Sequence, residues 1–285
     1  MMALQLSSTT RGVLYMLMAS VFFALMNVFT KNLGTMPVAE IIFVRALIAA
    51  SLCLAGIWKL GISPWGEDRK GLVLRGFAGM LSLAQGFWLL QHIPMAAATT
   101  LTHLSPIFTT LLGVWMVKEA VTPLQIGYFV VCFVGVALIQ GFDVRISWLH
   151  LLIGISASFC MGLAYSSVRR LGKSEHPLVI MLYFPLVCLP LTGAAMWFGF
   201  VVPSPLQWLN LALLGVTSQL GQYFMTRSYQ TAAISTVAIV SYSEVIFSIV
   251  LGLLLFAENF NLMTYLGMAL VLIGVVLNVM KGNSE

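Results

Sequence analysis

Ten apolar stretches of about twenty residues follow one another along the chain, with only short polar breaks between them. A helix needs about twenty residues to cross the hydrocarbon core of a bilayer. Helices and closed barrels are the forms in which a chain satisfies its own backbone there. The stretches run over 12–31, 38–59, 71–91, 95–117, 124–141, 148–169, 177–199, 206–227, 232–256 and 262–280. The breaks carry turn and charge signals, as in Gly61 to Lys70 and Val202-Pro-Ser-Pro205. Each break is too short for a soluble domain. The pattern predicts an all-α membrane protein with ten transmembrane helices. The first run is expected as a membrane helix and not as a cleavable signal.

Composition points the same way. Hydrophobic residues make up 60% of the 285 positions and charged residues 8%, against about 45–50% and about 25% in soluble domains. The net charge of +5 does not imply a nucleic-acid partner, because the bases lie between apolar runs and form no polar module. Such charges set membrane orientation. With the N-terminus inside, eleven bases flank the helices on the inner side: Arg11, Lys59, Arg69, Lys70, Arg75, Lys118, Arg169, Arg170, Lys173, Arg227 and Lys281. Only Lys31 and Arg145 fall outside, and Arg45 lies within a helix. Both termini are therefore expected in the cytoplasm. Cys53, Cys132, Cys160 and Cys188 each sit inside an apolar run without CxxC spacing. We expect neither a disulfide nor a metal site from them.

The chain repeats itself. Ser20 to Gly34 resembles Ser158 to Gly172, Leu83-Ala-Gln85-Gly-Phe87 resembles Leu220-Gly-Gln222-Tyr-Phe224, Gly113 and Glu119 match Gly252 and Glu258, and Gly135 to Leu138 matches Gly274 to Leu277. The offset stays at 137 to 139 residues throughout. The halves are 12–141 and 148–281, with five helices each. An odd number makes the second copy enter from the opposite face, so the two are inverted repeats. A cavity between such halves opens to either side by nearly equivalent motions, the plan of many secondary transporters.

On these residues the chain resembles the drug/metabolite transporter superfamily, in its EamA-type ten-helix branch. Ser105-Pro106 through Gly113 and Lys118-Glu119 resembles the family's fourth-helix signature. Ser243-Glu244 through Gly252 and Glu258 resembles the ninth-helix copy, with Val245 where the family often has proline. Arg45 resembles a recurrent arginine of the second helix. The resemblance implies a carrier of metabolites, drugs, organic anions or nucleotide sugars, with helices 5 and 10 as peripheral supports. It does not name the solute.

Several polar side chains stand inside the apolar runs. Glu244 is near the centre of the ninth, where a carboxylate costs several kcal/mol unless paired or hydrated. It is a candidate partner for a substrate ammonium and a candidate proton carrier; the plain alternative is a hydrogen-bonded structural carboxyl. Arg45 could bind a substrate carboxylate through its planar fork, or tie helices together. Glu40, five residues earlier, is expected at the outer interface in contact with solvent. His103 precedes Ser105 and Pro106, where proline frees a backbone carbonyl and a kinked cavity wall is plausible. Gln85 and Gln222 are repeat-related, as are Asn27 and Tyr165. With Trp88, Tyr223 and Tyr242 they would give a substrate cavity an aromatic and amide lining. Packing between helices is the alternative for each. Gly154, Ser158, Gly162 and Ser166 recur every four residues and predict a close helix–helix seam.

Walker, GxSxG, HExxH and dinucleotide-binding motifs do not occur. An enzyme is not expected, nor a cofactor. Without an ATP-binding module, movement must draw on a gradient or on exchange. The expected function is secondary transport of a small organic, amino acid-like metabolite across a bacterial inner membrane, outward, by alternating access. The expected partners are that solute, membrane lipid and protons as a candidate coupling ion. An organic anion or lipid-linked head group is the alternative cargo, and a non-transporting membrane scaffold the alternative class.

Overall fold

A computed structural model describes residues 7–117, 122–140, 147–197 and 199–257, with scattered residues between 262 and 277. Most of the tenth expected span therefore lies outside the described residues, as do Lys118, Glu119 and Glu258. Eleven helices and no strand occur among the described residues. They are α1 (Ser8–Asn32), α2 (Val38–Leu60), α3 (Arg69–His92), α4 (Met95–Thr102), α5 (Ser105–Val117), α6 (Pro123–Gln140), α7 (Trp148–Leu171), α8 (Pro177–Met196), α9 (Pro205–Thr231), α10 (Ile234–Val240) and α11 (Ser243–Phe256). Helices α1, α2, α3, α7 and α8 are long and apolar enough to cross a bilayer. Their outward faces carry large apolar side chains such as Leu14, Leu52, Phe77 and Phe159. Exposed Trp58, Trp148 and Trp197 stand at or just beyond helix ends, the level at which tryptophan meets the lipid head groups.

The expected fourth and ninth spans are each broken in two. The breaks fall at His103-Leu104 and Ser241-Tyr242, 138 residues apart, so each repeat carries one at the same place. In the first, Pro106 has no N–H to offer the Thr102 carbonyl. The second breaks without a proline. Its amides turn to carbonyls three residues back: Tyr242 N to Ile239 O, Glu244 N to Ser241 O and Val245 N to Tyr242 O, at 3.0–3.1 Å. This tightening from four-residue to three-residue spacing ends one helix and starts the next.

The helices pack in repeat-related pairs. Helix α1 lies along α9 as α7 lies along α3, α2 lies along α8, and α1 meets α10 and α11 as α7 meets α4 and α5. Inversion can be followed from end to end. Arg169, near the end of α7, donates to the carbonyls of Tyr229 and Gln230 near the end of α9. The end of α9 in turn reaches the start of α1, where Ser228 Oγ donates to Gly12 O at 2.7 Å. Helix α7 thus finishes on the side where its copy α1 begins.

The small-residue seam on α7 lets α4 and α5 approach closely. Ser158 Oγ donates to Leu101 O at 2.6 Å and Ser166 Oγ to Thr109 O at 2.8 Å. A Cβ on Gly154 would meet Leu101 Cβ at 2.7 Å, and one on Gly162 would meet Phe108 Cβ at 2.6 Å. Glu40 departs from expectation. It is fully buried, because the segment after α8 folds over the start of α2 and Val201 N donates to its Oε2 at 3.2 Å. Its place in the first turn of α2 adds the favourable end of the helix dipole.

Candidate substrate cavity

A cavity of about 80 Å³ lies between the two repeats. Helices α1 to α4 and α7, α8, α9 and α11 all contribute to its wall. A smaller compartment of about 40 Å³ adjoins it, and Phe23, Thr102, Met161, Tyr165 and Glu244 belong to both. Glu244 therefore stands at the partition, in the first turn of α11 just after the second break. The start of a helix carries partial positive charge that favours a carboxylate, and broken helices at mid-membrane use their ends in this way.

Two partners hold the Glu244 carboxyl. Asn27 Nδ2 donates to Oε1 at 3.2 Å, and His103 Nε2 lies 3.7 Å from Oε2. His103 spans the two breaks. Its Nδ1 sits 2.8 Å from Thr99 O on the preceding helix α4, and its Nε2 sits 3.2 Å from Ser241 O at the other break. Carbonyls only accept, so both bonds form together only when both ring nitrogens carry protons. Glu244 is then the counter-ion. A neutral ring carries one N–H and donates to one of the two carbonyls.

Charge of the opposite sign also lines the cavity. Arg45 is 2% exposed, and so is Arg75. Arg75 Nη2 donates to Gln222 Oε1 at 2.8 Å, and both guanidiniums rest against the Phe184 ring. Tyr165 lines both compartments and packs 5.2 Å from the Tyr229 ring.

Six of the ten candidate side chains thus line one or both compartments: Asn27, Arg45, His103, Tyr165, Gln222 and Glu244. The other four lie elsewhere. Gln85 donates to Ser156 Oγ on α7 at 3.0 Å. Trp88 stacks on His92 at 4.0 Å near the end of α3. Tyr223 is 38% exposed on the outer face of α9. Tyr242 is fully buried beside His103, with ring centroids 6.0 Å apart. Arg75 is the residue that the sequence reading passed over as a flanking charge. It lies inside the apolar run over 71–91, and that enclosure was the available signal. Phe184 carried none.

A helical membrane fold of inverted repeats around a cavity with buried charged side chains has the architecture of a secondary transporter. The model of the EamA-like transporter family matches residues 10–141 and again 148–280, and the chain belongs to that family. It is a transport protein and not an enzyme. The pseudopaline exporter CntI of Pseudomonas aeruginosa is 31% identical over 269 residues, covering 93% of this chain and 94% of that one. A transporter of Helicobacter pylori is 27% identical over 274 residues, 92% of each chain. The riboflavin transporter of Rhizobium johnstonii is 27% identical over 242 residues, 81% of this chain and 78% of that one. A protein of known crystal structure superposes with a TM-score of 0.80 at 16% identity, over 93% of this chain and 94% of the other, which supports the fold alone.

Proposed function

We propose that this protein carries a small organic solute outward across a bacterial inner membrane by alternating access through the cavity between its repeats. The observation that carries this reading is the convergence of Asn27, Arg45, Arg75, Gln222 and Glu244, drawn from both repeats, on one buried space beside two helix breaks. Sites for drug-sized ligands occupy about 300–1,000 Å³, well above the 80 Å³ here. A metabolite enters only if the helices part, and parting on alternate sides is what inverted repeats provide. The names of the exporter and riboflavin relatives support an organic solute, and the first supports outward movement. With Arg75 withdrawn from the flanking charges, ten bases inside against two outside still favour cytoplasmic termini.

Glu244 is the proposed coupling residue. It reaches both compartments and shares His103 with the opposite helix break, so gain or loss of a proton there alters the contact between the breaks. The test is counterflow in proteoliposomes loaded with an unlabelled metabolite mixture. Wild-type protein is expected to accumulate a labelled solute, and Glu244→Gln to slow it at least about tenfold, a change of about 1.4 kcal/mol in the barrier. Normal flux in both Glu244→Gln and Glu244→Ala between pH 5.5 and 8 makes the carboxyl structural. No flux of any solute by folded wild-type protein counts against the proposed path between the repeats.

A further inference from the structure

Two arginines are buried in the cavity wall, and among the described residues neither forms an ion pair with a carboxylate. Nε and Nη1 of Arg45 and of Arg75, four nitrogens in all, have no hydrogen-bond partner among the described residues. The Cζ atoms lie 4.8 and 5.4 Å from the Phe184 centroid, so the two charges are at most about 10 Å apart. Arg75 donates to Gln222, which is a neutral amide. The cavity's carboxyl, Glu244, accepts from Asn27 and lies 3.7 Å from His103 instead.

A guanidinium does not shed its proton. A buried cation without a counter-charge is strongly disfavoured, and an aromatic face offsets only part of that. At the repeat offset of 138 the counterparts of Arg45 and Arg75 are Tyr183 and Leu213, so the second half forms the same architecture without them. The same cavity wall carries apolar side chains, among them Phe23, Met26, Phe87 and Leu90.

We infer that Arg45 and Arg75 form an anion subsite, and that the transported solute is a dicarboxylate with an apolar skeleton, one carboxylate for each guanidinium. This rests on the cavity being the transport path proposed above. Asn27 and Glu244 face the remainder of the molecule, where a hydroxyl or amino group would find partners.

The test is thermal unfolding of the purified full chain with succinate, glutarate, monomethyl succinate, propionate, sodium chloride and sodium phosphate, at matched ionic strength. A ligand that binds the folded state raises the midpoint by mass action. Succinate or glutarate is expected to raise it at concentrations at least about tenfold lower than monomethyl succinate or propionate. Arg45→Lys and Arg75→Lys keep charge but lose the planar fork; each is expected to weaken dicarboxylate binding at least about tenfold, with exposed Arg170→Lys unchanged. The monoester comparison needs no variant, so it decides the matter even if a lysine variant fails to fold. Equal potency of diacid and monoester overturns the proposal, as does an equal shift with chloride or phosphate, or unchanged binding in folded lysine variants. Stabilisation by none of the probes overturns it too, while counterflow of another solute leaves the transport reading standing. Dicarboxylate binding without counterflow of the bound acid leaves the anion subsite standing and overturns its identification with the transported solute.

Discussion

Gly162 sits where α7 presses on the helix that follows the first break, and it gives a quantitative test of the packing that frames the cavity. A methyl group added there lies 2.6 Å from Phe108 Cβ and 2.8 Å from the backbone nitrogen of Thr109. Backbone cannot swing aside as a side-chain tip can. Helix α5 must shift by several tenths of an ångström to restore contact distance, and that shift disturbs the Ser166 to Thr109 hydrogen bond of 2.8 Å one turn away. Overpacking of this kind costs about 1–3 kcal/mol. Replacing a helical glycine by alanine recovers about 1 kcal/mol at most, so the net loss is about 0–2 kcal/mol, with the steric term the larger where backbone is struck. Gly127 on α6 is the matched control, because a Cβ there meets nothing within 4 Å. Gly162→Ala and Gly127→Ala are compared by thermal unfolding in one detergent. At about 2–4 °C per kcal/mol for a large chain, Gly162→Ala is expected several degrees below Gly127→Ala, and Gly127→Ala at or above wild type. Equal midpoints, or Gly162→Ala the more stable, refute the close approach of α7 and α5.

Four further substitutions separate buried from exposed polar contacts. Glu175 is 7% exposed, and its Oε1 accepts Glu67 N at 2.6 Å and Asp68 N at 2.8 Å; Glu175→Ala leaves two loop donors without a partner and is expected to cost about 1–3 kcal/mol. Arg170→Ala removes an ion pair to Asp68 at 2.8 Å whose side chains are 52% and 32% exposed, and is expected to cost under about 1 kcal/mol. The same unfolding assay checks both, and the reverse order would show that Glu175 does not organise this loop. Ser158→Ala removes a buried bond of 2.6 Å to Leu101 O and is expected to cost about 0.5–1.5 kcal/mol, whereas Ser51→Ala, which removes an exposed bond within its own helix, is expected to change the midpoint little.

The membrane class, the helices and the inversion were legible because hydropathy and the 138-residue offset are properties of the chain alone. The seam on α7 was legible for a similar reason: Gly154, Ser158, Gly162 and Ser166 share one helix face at fixed spacing. What lay across from that face was not, since Leu101 and Phe108 carry no mark of their partner. The breaks in the fourth and ninth spans were half legible. Pro106 marked the first, but the second arises at Ser241-Tyr242 from a change of hydrogen-bond spacing that apolar periodicity does not register. Asn27, Glu244 and His103 stood out as polar groups in apolar runs, and their meeting depended on helix packing that only the fold supplies. Arg75 was misjudged because a basic residue near a helix end reads as a flanking charge, while its burial depends on Phe184 and Gln222 from the other repeat. Glu40 was misjudged for the same kind of reason: the cover over it comes from Val201, far along the sequence.

The claim at the centre of this account is that solute passes between the two repeats, and the most direct test is to tie them together at one end. Asn32 at the end of α1 and Asn210 near the start of α9 belong to different halves, and Asn32 Nδ2 donates to Asn210 Oδ1 at 3.3 Å. Cysteines at both positions, in a background freed of Cys53, Cys132, Cys160 and Cys188, can be joined by mild oxidation or a short thiol-to-thiol reagent and, for the disulfide, released again. Counterflow in proteoliposomes is then measured before closure, after closure and after reduction. The account predicts flux in the open form, its loss in proportion to the joined fraction, and its return on reduction. Full flux through completely joined protein would contradict it.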